Sequence, residues 1–78
     1  MDNSRLYEAI FIFDEYCEPY KKQDNTNAYS FSSSLSENIF NATLRLLAAH
    51  NLIMYEDSGY YATDENLLKI KNLKFKMK

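Results

Sequence analysis

One glycine, Gly59, and one proline, Pro19, are the only residues of their kinds in the 78. A chain so poor in both has few places where its backbone must turn, so most of it is free to run in helices. The apolar fraction of 46%, with seven Tyr and five Phe, is too high for a disordered chain. A chain this short buries only ~60% of its unfolded surface, so it builds a single thin core. Its many rings then suggest that another domain or a second copy covers some of the apolar area.

The periodicity predicts one domain over 1–78, mainly α with a small β-hairpin: an N-terminal helix in 1–22, a central helix in 34–51, a hairpin in 52–63, and a C-terminal helix or tail in 64–78. Asn3 or Ser4 is suited to cap the first helix, whose core stripe is Leu6, Ala9, Ile10, Phe13, Cys17 and Tyr20 at steps of three and four. Pro19 disfavours helical geometry at Glu18 and ends or kinks the helix there. The same helix carries a second apolar set, Tyr7, Phe11, Ile12 and Tyr16, which makes these four the candidate interface residues. The competing reading is one wide stripe with half-exposed tyrosines.

Residues Gln23 to Asn27 form a polar link, and Ala28, Phe31 and Leu35 have the spacing of a short helix among serines. Ser34 to Glu37 fits a capping box for the central helix, whose buried face reads Ile39, Phe40, Thr43, Leu46, Leu47 and His50. Asn51 is placed to stop that helix in the left-handed region, with Leu52 folding back on its last turn. Two β-prone runs, Leu52 to Tyr55 and Tyr60 to Thr63, flank Gly59, where a tight hairpin is expected to use positive φ. Thr63 or Asp64 then caps a last helix through Leu67, Leu68 and Ile70 to about Asn72.

The net charge of −2 is unevenly spread. Residues 1–68 hold eleven acids against four bases, a net −7, while residues 69–78 hold five Lys and no acid, a net +5. The acidic body repels phosphates, and the basic end suits an acidic partner, nucleic acid or the body itself. Cys17 is the only cysteine, which excludes an intrachain disulfide and a cysteine-built zinc site. No apolar run approaches the ~20 residues of a membrane span, and the start lacks the basic-then-apolar pattern of a signal peptide. A cytoplasmic protein without a membrane partner is the expectation.

Helix, short helix, helix and hairpin in that order resemble a winged helix. The stretch Leu44-Arg45-Leu46-Leu47-Ala48-Ala49-His50-Asn51-Leu52-Ile53, followed by Asp57-Ser58-Gly59-Tyr60-Tyr61-Ala62-Thr63, looks like the N-terminal domains of S-adenosylmethionine-dependent O-methyltransferases. That resemblance implies a non-catalytic module that dimerises through its helices and helps to close the substrate pocket of a methyltransferase domain. By it the first helix would form a homodimer or meet a sister domain, and the chain would be an excised fragment or a stand-alone module. Winged-helix transcriptional regulators and protein-interaction winged helices share similar patterns. A DNA-reading role would fall to Asn38, Asn41 and Arg45 on the central helix, where amide and guanidinium groups suit base edges. A single basic residue there, with Glu56 and Asp57 in the wing, ranks that role lower.

Chemistry of its own is not expected of this chain. A Rossmann-like cofactor site needs a glycine-rich turn after a strand, and Gly59 alone does not supply one, so neither a cofactor nor catalysis is assigned. His50 is read as a structural core histidine and Cys17 as a small buried hydrophobe. Asp14, Glu15 and Glu18 are read as a solvated helix face.

Overall fold

A computed structural model describes residues 4–21 and 28–76. The elements are α1 (Ser4–Tyr16), β1 (Cys17–Lys21), β2 (Ala28–Ser33), α2 (Glu37–Ala49), β3 (Met54–Glu56), β4 (Gly59–Thr63) and α3 (Asp64–Lys76). The strands form one antiparallel sheet in the order β1-β2-β4-β3. The fold is therefore α+β, with more sheet than the single expected hairpin.

The additional strands correct two readings. The first helix stops at Tyr16, and Cys17 to Lys21 is a strand; residues 28–33 are also a strand, not a short helix. Cys17 pairs with Ser33 and Pro19 with Phe31, so each segment supplies the other's hydrogen-bonding partner. Pro19 has no N–H to donate and is tolerated because β1 lies at the edge of the sheet. Ser33 secures the junction: its hydroxyl donates to the Tyr16 carbonyl at 2.6 Å and accepts from the Leu35 N–H at 3.1 Å. A strand thus occupies the place of the second helix in the expected winged-helix order. The polar link from Gln23 to Asn27 and the last two residues of the expected tail lie outside the described residues.

α2 starts three residues later than the 34–51 reading. Ser36, not Ser34, caps it by accepting from the Ile39 N–H at 3.4 Å. At its other end Asn51 adopts φ 61°, the Asn51 N–H donates to Ala48 O, and the Leu52 N–H donates to Leu47 O, both at 3.0 Å. These two bonds make a Schellman motif, which satisfies carbonyls that the helix end would otherwise leave open. His50 caps this end and is exposed, a correction to its expected core position.

The β3–β4 hairpin turns on Asp57 (φ 53°) and Ser58 (φ 63°). Both central residues of this tight turn are left-handed, and Gly59 follows as the first residue of β4 without positive φ, contrary to the expectation placed on it. Thr63 and Asn66 then bond reciprocally: the Asn66 N–H donates to Thr63 Oγ1 at 3.2 Å and the Thr63 N–H to Asn66 Oδ1 at 3.1 Å. This capping box opens α3, with Asp64 and Glu65 in its first turn and Lys74 and Lys76 in its last, each suited to the helix dipole. α3 runs beyond the expected Asn72 end to Lys76.

The core joins the three helices to β1, β2 and β4, with Leu52 and Ile53 of the link before β3. Its three largest fully buried side chains, Ile10, Leu47 and Ile70, come one from each helix. They meet Phe31 and Ala62 of the sheet, and the Phe13 and Phe31 rings sit edge-on at 5.0 Å. Thr43 is buried too, with its hydroxyl satisfied by the Ile39 carbonyl at 2.8 Å.

Candidate association surface

Ala9, Ile10 and Phe13 point α1 into the core. An α-helix advances about 100° per residue, so Tyr7 and Phe11 share one flank of this buried stripe and Ile12 and Tyr16 the other. The four candidate interface residues therefore do not form one face. Ile12 enters a shallow apolar groove against α2, beside Ala9, Ile39 and Leu46. Tyr16 borders a cleft with Glu18 and Ser32 to Ser34 at the edge of the sheet.

The flank with Tyr7 and Phe11 adjoins α3. That helix runs back along α1: its first turn shares a cleft with Cys17 and Pro19, while Lys74 near its end reaches Phe11, Asp14 and Glu15. The Lys74 ammonium hydrogen-bonds the Asp14 carboxylate, lies 3.6 Å from a Glu15 oxygen, and sits 5.5 Å from the centre of the Phe11 ring. The hydrogen bond to Asp14 raises the Lys74 pKa, and the two neighbouring negative charges add to it. Part of the basic end thus docks on the acidic body.

Around this clasp, large apolar side chains remain exposed: Tyr7 by 41%, Phe11 by 40%, Leu68 by 61% and Phe75 by 72%. Leu68 and Phe75 were not among the candidate interface residues. Their seven-residue spacing puts them on one side of a helix, but the order of the final residues fits a strand equally well. Only α3, formed through Lys76, places them together.

Asn38, Asn41 and Arg45 are all exposed and follow one stripe of α2. Glu37 stands beside them, and Glu56 and Asp57 occupy the turn region of the second hairpin.

The cleft between α1, β1 and α3 has a volume of about 520 Å³ and is lined by Phe13, Cys17, Pro19, Leu67 and Ile70, with Lys71 among its charged members. Burial pushes the Cys17 thiol above its ordinary pKa, against a smaller opposing pull from its hydrogen bond with Ser33. A thiol held protonated in this way is a poor nucleophile. Elsewhere, hydrogen bonding to Asp64 raises the Tyr29 phenol and hydrogen bonding to Glu56 raises the Tyr61 phenol. Each such bond uses a tyrosine proton to join neighbouring elements. Among the described residues, no helix is long and apolar enough to cross a membrane.

No protein family, curated protein or solved structure matches this chain.

Proposed function

We propose that this chain is a non-catalytic association domain acting in the cytoplasm, of the kind that dimerises an S-adenosylmethionine-dependent methyltransferase and helps to close its substrate pocket. The observation that carries the association reading is the exposure of large apolar side chains on two adjacent helices after the core is complete, among them Tyr7 and Phe11 of α1 and Leu68 and Phe75 of α3. Fully burying one such side chain contributes roughly 1.5–3 kcal/mol, so a contact that takes in several offsets the entropy of association. The methyltransferase assignment rests on the resemblance of residues 44–53 and 57–63. Those residues form the second half of α2, its left-handed stop, and the turn and second strand of the following hairpin.

The second reading is DNA binding, favoured by the exposed stripe of Asn38, Asn41 and Arg45. It ranks lower because Glu37, Glu56 and Asp57 would face phosphates with the wrong sign. Sedimentation of the chain at tens of micromolar tests the association reading. A dimer is expected. A monomer at those concentrations would overturn the reading.

A further inference from the structure

The proposed self-association leaves open which helix meets which, and charge answers that question. α1 carries Glu8, Asp14 and Glu15 against Arg5, whereas α3 carries Lys69, Lys71, Lys74 and Lys76 against Asp64 and Glu65. Lys74 is already engaged with Asp14 and Glu15 of its own chain. Glu8 is exposed on α1, Glu15 is exposed beside its contact with Lys74, and Lys69, Lys71 and Lys76 are exposed on α3. Both helices also carry exposed apolar side chains, Tyr7 and Phe11 on α1 and Leu68 and Phe75 on α3.

We infer that the occupant of this surface is a second copy of the chain, docked in a crossed arrangement in which α1 of each copy lies on α3 of the other. A two-fold contact uses the same patch on both copies, so an α1-on-α3 contact occurs twice and is self-complementary. In each half, acids meet lysines and rings meet aliphatic or aromatic side chains. Pairing α1 with α1 would instead oppose Glu8 and Glu15 to their own copies, and pairing α3 with α3 would oppose lysines; like charges brought together across an interface disfavour both. The inference rests on the self-association reading and adds its geometry.

Two charge-reversed chains test it. One carries Glu8→Lys, which leaves the Lys74 clasp intact, the other Lys69→Glu, Lys71→Glu and Lys76→Glu. Each alone is expected to sediment as a monomer where the unaltered chain is a dimer. Their equimolar mixture is expected to regain a one-to-one complex, because each reversed helix then faces its opposite. The unaltered dimer should also weaken by about tenfold or more between low and ~0.5 M salt, since exposed charges are screened. Circular dichroism of each variant establishes that it is folded before sedimentation, and Lys71→Glu alone replaces the triple variant if that chain unfolds. A folded α3-reversed chain that still dimerises like the original overturns the crossed arrangement while leaving association itself intact. A mixture that fails to recombine overturns it as well. An unaltered chain that is monomeric at these concentrations overturns self-association altogether.

Discussion

The chain contains two successive units of one kind, a helix followed by an antiparallel pair of strands, and their key contacts differ in range. In α2–β3–β4 the Ser36 cap, the Asn51 stop, the Asp57-Ser58 turn and the Thr63–Asn66 box each join residues within about one helical turn. In α1–β1–β2 the helix end is secured by Ser33, seventeen residues from the Tyr16 carbonyl it binds, and β2 takes its second partner from β4 in the other unit. The second unit is specified largely by neighbours in sequence. The first needs the assembled sheet, so the two units should respond differently to substitutions at their junctions and alike to changes in their common core.

The largest effect is expected in that core. Ile10→Ala and Leu47→Ala remove fully buried side chains from the two helices, and each should cost about 2–5 kcal/mol in urea unfolding. Both variants should unfold in one transition because their side chains share a single cluster. Two separate transitions, with only one moved by Ile10→Ala, would show that the units fold independently.

Junction substitutions should produce smaller losses and separate the units. Asn51→Val places a β-branched residue at φ 61° and should cost about 1–3 kcal/mol, with amide protection falling first at the end of α2. Ser33→Ala removes the bond to Tyr16 and should cost about 1 kcal/mol. Its loss of protection should appear in both α1 and β2. Confinement of that loss to β2 alone would mean that Ser33 does not couple the helix to the sheet.

The smallest effect concerns Cys17 at the start of β1. Its folded pKa is raised, so its contribution to stability is fully present below the unfolded thiol pKa of about 8.5 and is lost as pH rises through the higher folded value. Iodoacetamide at neutral pH should accordingly label the native chain slowly and the urea-unfolded chain quickly. Equal labelling rates would place the thiol at the surface.

The difference between the units also explains what could be read from the chain. Asn51 and Leu52 mark the end of α2, and Thr63 opens α3, because capping depends on groups only a few residues apart. Even there the local pattern is ambiguous: neighbouring serines leave Ser34 as good a capping candidate as Ser36, which holds the N-cap, and Asp57 and Ser58 take the left-handed position that a glycine's freedom points to at Gly59. The four candidate interface residues divide between two flanks of α1. Tyr7 and Phe11 border the exposed surface, Ile12 and Tyr16 lie on the opposite flank, and Leu68 and Phe75 come into view only with α3.

By itself the sequence determined the stripe of α1 that enters the core, the extent of α2 to within a turn, the existence of the second hairpin, and the separation of acid from base. Those features follow from side-chain period, nearby hydrogen-bonding groups and composition. The tertiary structure alone decided that Cys17 to Lys21 and Ala28 to Ser33 are strands, since Ser33, Phe31 and Tyr29 find their partners in β1 and β4. It also decided that Lys74 crosses to Asp14, sixty residues away, aligning an acidic helix with a basic one. A strand's hydrogen bonds and an ion pair between helices both need partners distant in sequence, and no local pattern identifies those partners before the chain has folded.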